Sequence, residues 1–196
     1  MRNHHDCKRM TRIELSSHNL RAQFQLPDDF EPVRYHAGHM LLRCHYPDLK
    51  CLSPSGPRSD ESVDLQVTLQ KGMGRVELLL TGDGPRLTPS FLRSTHVLEP
   101  IGRYQIFQEE HSLAGIRHTL VTYAFHADDG AVVGVDDAGE AMDRYQFSRR
   151  IGKYLRLQFS LSKDFGDDFL DIDARTSNFI KSLLVKAWEL DPEEEA

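Results

Sequence analysis

Val63-Asp64-Leu65-Gln66-Val67-Thr68-Leu69-Gln70 places an apolar residue at each odd position and a polar one at each even position. Side chains of an extended chain point alternately to opposite faces. A period of two is therefore the mark of a strand with one face on a core and one on water. Two more segments follow the same rule. Leu20, Ala22, Phe24 and Leu26 alternate with Arg21, Gln23 and Gln25. Leu155, Leu157, Phe159 and Leu161 alternate with Arg156, Gln158 and Ser160. Weaker strand patterns fall at Tyr35–His45, Arg103–Gln108, Thr119–His126, Val132–Asp136 and Tyr145–Ser148. Asp128-Asp129-Gly130 links two of them as a hairpin turn, because Asp and Gly tolerate positive φ. Lys71-Gly72-Met73-Gly74 is expected to turn the 63–70 strand into a partner at Val76–Leu80.

The pattern changes near the C-terminus. Thr176, Phe179, Ile180, Leu183, Leu184 and Ala187 fall on one stripe at helical spacing, with Lys181, Ser182 and Lys186 opposite. Asp171 or Asp173 is the expected cap. Burying four of the large residues would contribute on the order of 6–10 kcal/mol before entropy costs. The expected fold is α+β: mainly antiparallel β-sheet with a long C-terminal amphipathic helix packed on one face. Residues 1–19 read as a flexible N-terminal arm, 20–190 as a single α+β domain, and 191–196 as an acidic tail. Thr88-Pro89-Ser90 is expected to open a short helical turn. Long loops are expected at 47–62, 82–100 and 108–118.

Composition narrows the function. The chain has 196 residues, 39% hydrophobic and 28% charged, which is ordinary for a folded domain with its own core. A net charge of −6 argues against nucleic acid as a partner, since generic binders of phosphate backbones are basic. Arg144, Arg149, Arg150 and Lys153 form the densest basic cluster and read as a solvated strand face. No stretch reaches the ~20 apolar residues of a membrane helix, so no membrane insertion is expected. No apolar region follows the charged start, as a signal peptide would require. The expected location is the cytoplasm, or the periplasm if an N-terminal anchor has been lost. Three cysteines cannot complete a disulfide framework. Cys44 and Cys51 are either two unpaired thiols or a local disulfide across Tyr46-Pro47-Asp48.

Chemistry-bearing residues are present without a catalytic pattern. His36, His39 and Cys44, near His45 and Cys51, are the candidate metal ligands. Their spacing matches no usual zinc knuckle, and His36 and His39 would face opposite ways on a regular strand. No metal and no cofactor is therefore expected. Asp164, Asp167, Asp168, Asp171 and Asp173 lack the spacing of a calcium loop and read as the start of the helix. No nucleophile elbow, phosphate-binding loop or dinucleotide fingerprint occurs. A hydrolase would have to use His118 or His126 with Glu109 or Glu110, on one strand face.

What remains is surface. Phe91, Arg93, His96 and Tyr104 lie on or beside the 82–100 loop and are of the types that binding hot spots use. Phe24-Gln25-Leu26-Pro27-Asp28-Asp29-Phe30, and Asp173 with Phe179-Ile180-x-Ser182-Leu183, resemble the two ends of PsbP-like sandwiches. In bacteria, folds of that family occur in chaperones and in periplasmic immunity proteins of secretion systems. The resemblance implies a non-enzymatic domain that binds another protein, such as a secreted effector. It carries over no functional residue. The alternatives are the hydrolase above and a metal-binding module at His36, His39 and Cys44.

Overall fold

A computed structural model describes residues 10–27, 30–52, 55–56, 59–81, 95–113 and 116–191, with backbone alone for 111–113 and 116–117. Two antiparallel sheets and two α-helices make up the described part. β1 (Met10–Ser17), β2 (Leu20–Pro27) and β13 (Leu184–Glu189) form a three-stranded sheet in the order β1-β2-β13. The large sheet contains β3 (Arg34–His36), β4 (His39–His45), β5 (Lys50–Cys51), β6 (Ser62–Leu69), β7 (Thr95–Ile101), β8 (Tyr104–Leu113), β9 (Ile116–His126), β10 (Val132–Asp137), β11 (Arg144–Ile151) and β12 (Leu155–Ser162). Its order is β3-β4-β6-β12-β11-β10-β9-β8-β7, with β5 on β4. The helices are α1 (Arg75–Thr81) and α2 (Phe169–Leu183).

Val63–Leu69 lies in strand β6, between β4 and β12 in the large sheet. Val63, Leu65 and Val67 are fully buried, while Asp64, Gln66 and Thr68 lie on the opposite face. β2 and β12 bury their apolar sets in the same way. One core joins all three layers: Leu15, Phe24 and Leu26 from the small sheet, Met40, Leu65 and Leu157 from the large one, and Phe169 and Ile180 from α2. Phe169 sits among the rings of Tyr104, Tyr123, Tyr145 and Phe147, with centroids 4.9–5.8 Å away.

The expected long C-terminal helix is not there. Among the described residues, strand makes up 56% and helix 18%, and the longer of the two α-helices has 15 residues. Its cap is Asp168, whose carboxylate accepts from the Asp171 N–H at 3.2 Å, so Asp171 and Asp173 lie inside the helix. Leu184 turns extended, and residues 184–189 become β13 on the free edge of β2. The stripe read as one helix therefore spans two elements: Phe179, Ile180 and Leu183 on α2, Leu184 and Ala187 on β13. β-branched Val185 and aromatic Trp188 suit a strand, and pairing with β2 satisfies their backbone groups.

Other boundaries differ as well. Residues 10–17, within the expected arm, form β1, paired along its length with β2. Residues 75–81 form a helix, not the second strand of a hairpin. The Glu77 carboxylate caps the Gly74 N–H at 2.5 Å, and Val76 packs so closely over Gly134 of β10 that a Cβ there would collide with it. Tyr35–His45 is two strands, reversed at Ala37-Gly38. The 108–118 loop is mostly strand, and the end of the 82–100 loop is β7. The turn expected at 88–90 lies outside the described residues. Among the described residues, no helix is long and apolar enough to cross a membrane.

Candidate functional site

Three places on this frame hold chemistry or open surface. The first is a cleft of about 370 Å³ between α2 and the turn from β9 to β10, lined in part by Arg103, Asp128, Leu170, Ala174 and Asn178. At its floor Arg149 of β11, almost fully buried, donates to Asp173 of α2 and to Asp129 of the turn, each at 2.5 Å. Lys181 of α2 donates to the same Asp129 oxygen at 2.5 Å. Carboxylates and cations thus alternate from the helix through the sheet to the turn and back. Burial pushes the Asp173 carboxyl up to about 6 against the pull of Arg149. Burial acts on Asp129 in the same direction, but Lys181, the Ala131 N–H and Arg149 together bring it down to about 2. The Ser177 hydroxyl here donates to the Ala174 carbonyl of its own helix, so it is not aligned on the carboxylates. The arrangement pins α2 to the sheet. It also corrects the basic cluster: Arg149 is buried on the inner face and is not solvated, and Arg144 donates to the Ser62 and Ser160 carbonyls.

The second place is the β3–β4 hairpin. Ala37 has positive φ (43°), the chain reverses, and His36 stands directly opposite His39, with ring centroids 5.4 Å apart. The two histidines expected on opposite faces are therefore neighbours. Cys44 is not with them. It is fully buried on the core-facing side of β4 with Met40 and Leu42, whereas His39 meets Thr68 on the other side, Nδ1 to Oγ1 3.2 Å. Among the described residues, no three His, Cys, Asp or Glu side chains are placed to hold a metal ion. Cys44 instead faces Cys51, Sγ to Sγ 3.0 Å.

The acid–base pairs expected on one strand face do not assemble. His118 and His126 stand at the two ends of β9, eight residues and so roughly 27 Å apart. Glu109, next to Leu120 in register, is buried and takes a 2.7 Å hydrogen bond from Arg75. Arg75 also reaches Thr122 at 2.9 Å and Asp136 at 3.2 Å, so this group seats α1 across three strands. The acidic run is divided among different tasks. Asp164 accepts from the Ser162 hydroxyl, Asp168 caps α2, Asp171 pairs with Arg175 at 2.5 Å, and Asp173 turns inward.

The third place is β7, bonded to β8 and last in the strand order of the large sheet among the described residues. From His96 to Ile101 every residue is exposed, and Val97 and Ile101 are 70% and 64% accessible. His96 belongs to this exposed strand. Tyr104, expected beside it in a binding surface, instead packs edge-on against Phe125 and Phe169, at 5.4 and 5.7 Å. It belongs to the aromatic core. Phe91 and Arg93 lie outside the described residues. The apolar residues that are exposed, Val97, Leu98 and Ile101, were not singled out from the sequence. Strand periodicity marks which residues are apolar, but not which strand ends a sheet.

No protein-family model matches the chain, and no curated protein matches it either.

Proposed function

We propose that this is a non-enzymatic protein-binding domain that takes its partner along β7. The exposed apolar side chains of β7 carry the reading: Val97, Leu98 and Ile101 are 70%, 40% and 64% accessible. Apolar side chains grouped on a surface in this way mark contact with another protein.

The PsbP-like resemblance at residues 24–30 and 173–183 favours the same class, in which bacterial chaperones and immunity proteins engage an effector. The hydrolase alternative has its histidines far apart along β9, and the metal alternative has Cys44 on the wrong face of β4. A photo-reactive amino acid in place of Val97, in the producing cell, tests the reading. The expected product is a discrete adduct with a different protein, absent when the probe replaces Glu140. Equal labelling from both positions, or adducts only between copies of this chain, would overturn it.

A further inference from the structure

We propose that Cys44 and Cys51 form a reversible cross-strand disulfide when the protein meets a disulfide oxidant, so that the β4–β5 hairpin is a modification site. The two residues are direct register partners, Cys44↔Cys51, beside the pair His45↔Lys50. Directly opposed residues of antiparallel strands have Cα atoms about 4.5 or 5.5 Å apart. That lies within the roughly 4.4–6.8 Å that a disulfide spans. The sulfurs already approach to 3.0 Å, inside the roughly 3.5–4.0 Å of ordinary non-bonded contact.

The hairpin is held in register by other groups, so bond formation need not reorganise it. The Asp48 carboxylate accepts from the Lys50 N–H at 3.4 Å and pairs with the Lys50 ammonium at 2.9 Å. It also meets His45 Nδ1 at 3.1 Å, while His45 Nε2 meets Glu61 at 2.6 Å. Beyond Cys51, the Leu52 N–H donates to the Arg43 carbonyl at 2.8 Å.

The two thiols differ in access. Cys44 is fully buried and Cys51 half-buried. The hydrogen bond with Cys51, followed by burial, keeps the Cys44 thiol protonated. Attack therefore begins at Cys51. Its thiolate attacks one sulfur of the oxidant's disulfide, a new S–S bond forms at Cys51, and one thiolate of the oxidant leaves. Cys44 then gives up its proton and attacks Cys51 Sγ, expelling the second thiolate. Two protein thiols become one disulfide, and their two electrons and two protons reduce the oxidant to two thiols.

The test uses the full chain incubated with oxidised glutathione, unfolded, alkylated and mapped by mass spectrometry. The expected product is a 44–51 linkage two hydrogens lighter than the reduced form and closed to alkylation. Cys44→Ser should accumulate a lasting glutathione adduct on Cys51, because the resolving thiol is gone. The melting temperature should rise by several degrees on oxidation, return with reductant, and show no such change in Cys51→Ser. A persistent glutathione adduct on Cys51 of the unsubstituted chain would overturn the proposal. So would a Cys7–Cys51 linkage, or two thiols that remain alkylatable.

Discussion

Arg149 holds two carboxylates from two different elements, and it does so almost out of reach of water. A charge so placed is costly to strand. Arg149→Met should leave Asp173 buried without its cation and destabilise the fold by about 3–5 kcal/mol, read as a lower urea midpoint. The pair also sets a pH response. The Asp173 carboxyl is at about 6 in the fold against an ordinary 3.8. The folded chain therefore holds that proton more tightly than the unfolded one. The resulting stability is fully present below 3.8 and is lost as pH rises through 6. Asp129 acts oppositely: its contribution is present above 3.8 and fades as pH falls towards 2. Denaturation midpoints measured from pH 4 to 7 should fall in the unsubstituted chain and flatten in Asp173→Asn. An unchanged slope would show that Asp173 is not the group responsible. Neither role was legible in the sequence. Asp173 was one of five aspartates near a helix start, and Arg149 one of four cations near a strand. Only the packing of α2 against β11 brings the two together.

Elements were legible where period two is unbroken and hidden where it is short or overridden. β6, β2 and β12 follow their alternation. β1 carries only Ile13 and Leu15 between Arg12, Glu14 and Ser16, too few apolar positions to mark a strand without its partner. α1 failed for a different reason. Val76-Glu77-Leu78-Leu79-Leu80 has four apolar residues in five, and over so few positions periodicity does not separate a strand from a short helix. Packing decided: Gly134 of β10 lacks the Cβ that would block Val76, and Arg75 anchors the helix start on Glu109, Thr122 and Asp136. Gly134→Val should push α1 off the sheet, at a cost of roughly 1–3 kcal/mol. Hydrogen exchange of the 75–81 amides should accelerate while that of β6 does not. At the other end of the helical content, Phe169→Ala would empty the centre of the aromatic cluster and should destabilise by about 3–5 kcal/mol in equilibrium unfolding.

Across the whole molecule, the small sheet, α2 and the large sheet share one core, and β13 is the last strand to close it. Glu189 fastens that strand, accepting from the Asn19 amide at 2.7 Å and pairing with Lys71. A chain ending after Leu183 would leave β1 and β2 as a two-stranded ribbon, which is marginal by itself. It should therefore lose its sharp thermal transition in circular dichroism; a transition as sharp as that of the full chain would show that β13 is dispensable. The sequence alone determined which residues face inward on β2, β6 and β12, because side-chain alternation is a local property of an extended chain. The helical stripe at 176–187 was read as one long helix, whereas only its part up to Leu183 is helical. Where that helix stops, which strands come last in the order of the large sheet, and which charges meet beneath α2 are decided by tertiary structure. Each depends on contacts between separate elements, and local periodicity carries no information about them.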